Sequence, residues 1–216
     1  MARILLGAVP FGAWRDAVTR RRSSYRSLAS LQRDNAVCRA CVEAGFPLES
    51  WPVFAGGGHR SAYILGQAPG IVEGEERRPW RGRAGRTLRR WLGMDEAEFY
   101  GTFYCASVTR CYPGRPPSGR GDRTPTPTEQ ELCAFWREWE LRLLRPTLIL
   151  AVGGLAANQL GLRGSVTDLV GTSHAYRDAT VVPLPHPSGA SSWPHVPANR
   201  ARLESALSLV RAQLPS

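Results

Sequence analysis

The chain has 216 residues, 43% hydrophobic and 21% charged, which fits one α/β domain with a real core. Its 28 basic residues, all arginine, outnumber 18 acidic ones for a net charge of +10, which points to a polyanionic partner such as nucleic acid. With no lysine, side-chain Schiff-base chemistry is excluded, no apolar run reaches membrane-spanning length, and an odd count of five cysteines argues against a simple disulfide framework.

The stretch from Ile4 to Trp14 loosely mimics a secretion signal, but Pro10 interrupts it and a single arginine precedes it. The rest of the chain reads as intracellular. Asp16 to Arg33 has helical character, with Tyr25, Leu28 and Leu31 on one face and arginines opposite. Cys38-Arg39-Ala40-Cys41 follows, then a loop from Pro47 to Arg60. Ala62 to Leu65 reads as the first strand and runs into Gly66-Gln67-Ala68-Pro69-Gly70. Glu73 to Arg83 is charged and reads as a surface loop. Arg86 to Leu92 reads as a helix and Phe99 to Thr109 as a strand. Pro113 to Pro127 is a long loop rich in Pro, Gly and Arg. Thr128 to Leu144 reads as a helix with Thr128 as its N-cap. Thr147 to Val152 is a buried strand, and Gly153-Gly154 turns into a helix ending at Leu160. His174 to Thr180 reads as a turn before the strand Thr180 to Leu184, and Ala198 to Leu214 as a terminal amphipathic helix. The alternation predicts a three-layer α/β/α fold with a central, mostly parallel four-stranded sheet. One domain spans 1–216, with 1–27 as an N-terminal extension and 28–60 as a CxxC-containing segment packed on it.

Two loops leave strand ends, Gly66 to Gly70 and His186-Pro187-Ser188-Gly189-Ala190-Ser191, and can meet at one sheet edge to form a pocket. The first offers a tight turn with free backbone N–H groups. The second offers a histidine held by a following proline. The pairing suits a site that stabilises a departing anion. Separately, Cys38, Cys41, Cys111 and Cys133 could form a four-thiolate site for a [4Fe–4S] cluster or a zinc ion. The alternative is a chance CxxC with two core cysteines. Cys105, in a strand-like run, reads as a buried core thiol.

These motifs resemble the uracil-DNA glycosylase superfamily, in particular its iron–sulfur families 4 and 5. GQAPG stands where family 4 has a GEAPG-like motif, and His186-Pro187-Ser188 matches its second, HPS-led motif. The four cysteines follow the order of its cluster ligands. Arg78-Pro79-Trp80-Arg81-Gly82, Thr124 to Glu129 and Arg145 to Leu160 match further segments. Each motif alone is weak; their order is specific.

The resemblance implies a monofunctional enzyme that flips uracil, or another deaminated base, out of DNA and hydrolyses its N-glycosidic bond, leaving an abasic site. It implies a [4Fe–4S] cluster at the four cysteines, zinc being the lesser alternative, and a cytoplasmic monomer of bacterial or archaeal type with no membrane partner. His186 would donate to uracil O2 as negative charge develops, helped by backbone N–H groups of the Gln67 loop, with Gly66, Gln67, Ala68, Pro69 and Gly70 forming the pocket wall. Trp80 would stack on the base, and Ser107 stands where family 4 has an asparagine that reads the uracil edge. Ser188, Gly189, Ala190, Ser191, Trp193, Arg115, Arg120 and Arg123 are the candidate DNA contacts, with Trp193 either a wedge or packed on the terminal helix. One departure is chemical: Gln67 replaces the family 4 glutamate, and an amide cannot serve as a general base. Glu73, Glu75 and Glu76 lie nearby and could substitute, or could be solvated loop charges. The departure keeps open a second reading, a non-catalytic iron–sulfur protein that binds damaged or single-stranded DNA.

Overall fold

The computed structural model describes residues 21–56, 62–119, 121–188 and 193–214. The N-terminal part holds α1 (Leu28–Ala36) and the short α2 (Ala40–Glu43). β1 (Ala62–Gly66) is followed by α3 (Ile71–Glu76), α4 (Arg83–Leu92) and α5 (Glu96–Thr102), which leads into β2 (Phe103–Ser107). After the long loop come α6 (Pro127–Leu144), β3 (Leu148–Val152), α7 (Gly154–Gln159) and α8 (Val166–Leu169). The hairpin β4 (His174–Tyr176) and β5 (Ala179–Leu184) precedes α9 (Pro197–Gln213).

The sheet order is β2-β1-β3-β5-β4. The first four strands pair in parallel, as the sequence predicts, and their side chains alternate between two cores. Ile64, Cys105, Leu150 and Val182 pack with Leu88, Phe99, Leu203 and Leu207 on one face. Tyr63, Leu65, Tyr104, Ile149 and Val181 pack with Leu141, Leu144, Ala156 and Leu160 on the other. Because the strands are parallel, all four C-terminal ends reach the same edge. The order reverses direction at β1, whose neighbours are β2 and β3, so a crevice opens beside its end.

Four local expectations are corrected. The sheet has a fifth strand, because His174 to Tyr176 pairs antiparallel with Ala179 to Val181 around Arg177 at φ +53°. Its turn, Arg177-Asp178, lacks the Asn-Gly signature of a tight hairpin. Phe99 to Thr102 is helical, because Asp95 and Glu98 form a capping box that starts α5. Residues 71–76 form α3 rather than loop. The cap of α6 is Thr126, with Pro127 at the first helical position and Glu129 completing the box.

A buried polar network fastens α6 to the sheet. Glu140 has no solvent exposure and accepts from Tyr63 Oη at 2.7 Å, Tyr104 Oη at 3.0 Å and Arg110 Nη2. Burial works against the Arg110 charge, but Glu140 more than offsets it, so the guanidinium stays ionised. The Arg110 main-chain N–H donates to Cys133 Sγ at 3.2 Å. The N-terminal part rides on the same helix: Tyr25 and Leu31 pack with Cys133 and Trp136.

A second constraint shapes the turn before α4. Trp80 adopts φ +60°, and its carbonyl accepts from Arg89 Nη1 at 2.8 Å. A Cβ on Gly85 would stand 1.8 Å from that carbonyl oxygen. Only glycine lets α4 approach the turn this closely.

Two predictions follow from these contacts. Glu140→Gln strands the Arg110 charge in the core and should cost about 3–5 kcal/mol in chemical denaturation; a loss below about 1 kcal/mol would show that the guanidinium finds water. Gly85→Ala would ordinarily gain ~1 kcal/mol inside a helix. The clash reverses the sign here, and urea melts should show a loss of about 1–3 kcal/mol.

Candidate active site

The two loops singled out in the sequence do meet. Gly66 to Gly70, Trp80, Ser107, His186 and Ser188 line one cleft of about 310 Å³ at the C-terminal edge of the sheet. That volume lies at the lower end of the range for small-ligand sites. Glu73, Pro79, Gly82, Arg83 and Asp122 complete its wall.

Each lining residue has a structural cause. Val108 N–H donates to Gly66 O at 2.8 Å and Thr109 N–H to Gln67 O at 3.2 Å, which zips the β1 loop to the chain leaving β2. A Cβ on Gly66 would meet the Trp80 ring at 3.0 Å and Ser107 Oγ at 3.5 Å, so Trp80 and Ser107 flank the floor beside it. Trp80 is buried against the core under β1 and β2, and it both packs and lines the cleft. Among the described residues, the N–H groups of Gln67, Ala68 and Gly70 have no hydrogen-bond acceptor. They are available to an electron-rich ligand.

His186 follows β5 two residues after Leu184 and stands beside Gly153, which takes φ +90° to turn β3 into α7. The protein packed around the imidazole lowers its pKa below the ordinary histidine value, while Asp122 pulls the other way. This balance favours the neutral ring, which still donates one N–H from its exposed position at the cleft.

The candidate DNA contacts divide. Ser188 borders the cleft and Arg115 is exposed. Gly189, Ala190, Ser191 and Arg120 lie outside the described residues. Arg123 is taken up internally. Its guanidinium forms a two-pronged pair with Glu129 at 2.7 and 2.8 Å, and its Nε donates to Pro113 O at 3.1 Å. Trp193 donates to Thr167 Oγ1 at 2.8 Å, accepts from Asn199 Nδ2 at 3.1 Å through its carbonyl, and lies against the core.

Two groups at the cleft were not singled out as site residues from the sequence, Asp122 and Arg83. The long loop brings Asp122 there and the start of α4 brings Arg83, placements that no local pattern encodes. Glu73, entertained as a substitute carboxylate, does line the cleft; its Oε1 accepts the Gly82 N–H at 2.7 Å and caps α4.

Cys38, Cys41, Cys111 and Cys133 come together around one interior cavity with Asn35, Leu132 and Trp136. Burial and the neighbouring thiols push Cys41 up to about 12, and burial raises Cys133 to about 11. Trp136 Nε1 donates to Cys38 Sγ at 3.2 Å, as Arg110 N–H does to Cys133. Among the described residues, no three histidine, cysteine or acidic side chains close on a single-ion point. Cys105 lies in the core under β2, away from this group.

Residues 56–209 match the sequence profile of the uracil DNA glycosylase superfamily. A type-4 uracil-DNA glycosylase of Thermotoga maritima is 30% identical over 155 residues, covering 69% of this chain and 77% of that protein. Relatives with the same name from Archaeoglobus fulgidus and Sulfurisphaera tokodaii are 32% identical over 136 residues and 25% over 185, covering 61% and 79% of this chain and 62% and 78% of theirs. Four thiols around one cavity, a Trp- and His-lined cleft at the sheet edge and this match across most of the chain lead to one assignment: the chain belongs to the uracil DNA glycosylase superfamily.

Proposed function

We propose that the chain is a monofunctional DNA glycosylase that takes a flipped uracil, or another deaminated base, into the cleft and hydrolyses its N-glycosidic bond. The observation that carries this reading is the meeting of the Gly66–Gly70 turn, Trp80 and His186 around one cleft at the strand ends. Bond breaking sends an electron pair onto the base. The neutral His186 N–H and the free N–H groups of the Gln67 turn supply preorganised donors for that charge. Trp80 offers an aromatic surface for the base, and Ser107 a small polar group at the cleft floor. The Gln67 amide can hold a water without accepting its proton. With no lysine in the chain, the product is an abasic site in an intact strand. Ser188, Arg115 and the segments around Arg120 and Gly189-Ala190-Ser191 are the proposed DNA contacts.

Cys38, Cys41, Cys111 and Cys133 would hold a [4Fe–4S] cluster. Two N–H groups already aimed at Cys38 and Cys133 sulfurs suit a cluster, whose thiolates accept such bonds. The cluster would act as a crosslink between α2, the start of the long loop and α6. We read the whole chain as one domain, with the N-terminal segment held to it by that crosslink.

His186→Ala should slow single-turnover uracil release by about 10²–10³-fold while leaving oligonucleotide binding intact. A variant within several-fold of wild type would remove His186 from the chemistry, and tight binding with no release by wild type would favour the non-catalytic reading. Anaerobically purified protein should contain about four iron and four acid-labile sulfide per chain. Cys111→Ser should lose most of that iron and melt earlier, whereas stoichiometric zinc without iron would overturn the cluster.

A further inference from the structure

We propose that Asp122, reaching the cleft from the long loop after β2, is the carboxylate that positions the attacking water and accepts its proton. The inference deepens the glycosylase reading above and rests on it. The reaction needs such a group: an oxocarbenium-like sugar must be met by water, and Gln67 cannot take the proton. The geometry of base flipping says where the group must be. The base fills the cleft while the sugar stays attached to the strand outside, so C1′ lies at the mouth.

Two carboxylates line the cleft, Glu73 and Asp122. Glu73 is committed, because its Oε1 caps α4 through Gly82. Asp122 is exposed at the rim, where water is at hand. A Cβ on Gly70 would stand 3.2 Å from Asp122 Oδ2 and 2.8 Å from Glu73 Oε2, so the Asp122 oxygen lies directly over the motif turn. Its charge also reaches His186 across the cleft, raising a histidine pKa that burial lowers. The two side chains therefore line one space and sense each other's charge.

The loop holds this carboxylate in place. Arg123, the next residue, donates its main-chain N–H to Gly114 O at 2.9 Å and clamps Glu129 at the start of α6. A carboxylate on an untethered loop would sample many positions; Asp122 is one residue from an anchor.

In the step itself, the C1′–N1 electron pair leaves with the base and the water oxygen bonds to C1′. Asp122 takes one water proton and returns it to solvent. The base anion, steadied by the His186 N–H, is protonated by solvent.

The test is single-turnover release from a uracil-containing oligonucleotide. Asp122→Asn should be about 100-fold slower than wild type, with oligonucleotide affinity equal or tighter, since a negative charge leaves the rim, and melting temperature unchanged. Adding Gln67→Glu to Asp122→Asn should recover at least about tenfold, because it places a proton acceptor on the facing wall; a merely structural role would not respond. An active wild type with Asp122→Asn within about threefold of it, or a slow Asp122→Asn that Gln67→Glu leaves slow, overturns the assignment and leaves the glycosylase reading standing. No release by wild type from uracil or hypoxanthine substrates removes the glycosylase reading and this assignment together. A protein–DNA adduct that survives denaturation and vanishes in Asp122→Asn would overturn water positioning in favour of direct attack.

Discussion

Glu140 lies on α6 without exposure to water, and donors from β1, β2 and the chain after β2 converge on its carboxylate. A buried pair of this kind contributes little net stability against an apolar alternative, yet breaking it costs several kcal/mol. Its effect is discrimination. Any other seating of α6 would leave a charge stranded in the core. Two turns earlier the same helix carries Cys133, which Arg110 also touches through its main-chain N–H. The first turn carries Glu129, which anchors Arg123 and with it the end of the long loop. One fixed helix thus sets the thiol group on one side and the cleft rim on the other.

What was legible in the sequence were features with a local period or a fixed spacing. Strands such as Ala62–Leu65 and Leu148–Val152 read clearly because both faces are buried, so they are short unbroken apolar runs. The two cleft loops were legible because parallel strands bring their C-terminal ends to one edge whatever the helices do. Phe99 to Thr102 was misread because its aromatic residues suit a strand, and the capping box at Asp95 outweighed them. β4 was missed for the opposite reason: three residues, none of them buried, beside an Arg-Asp turn are too few to show a period.

Arginine count was a poor guide to arginine use. The composition points to phosphates, but many guanidiniums are spent inside the molecule. Arg110 pairs with Glu140, Arg123 with Glu129, Arg81 with Glu76 and Glu96, and Arg177 with Glu138. A fork that binds phosphate in two prongs binds a carboxylate equally well. Sequence position cannot tell the two uses apart, because the acidic partner is often far along the chain. Arg83 and Arg115 stay exposed near the cleft and its loop, where a guanidinium is still open to an outside anion.

The same electrostatics bears on Asp122. Polyanion binding gains from every cation at the surface and loses from every anion near the strand. A carboxylate at the rim of a DNA-facing cleft therefore weakens the docking that the arginine surplus promotes. Its neighbour Arg123 does not neutralise it, since that guanidinium is held by Glu129. The chain keeps a charge where binding alone would remove it, and tethers the loop that carries it. A hydrolytic step resolves the conflict, because the sugar at C1′ becomes cationic only as the bond breaks. A negative group at the mouth opposes the ground state and favours the transition state, which is the difference that catalysis requires.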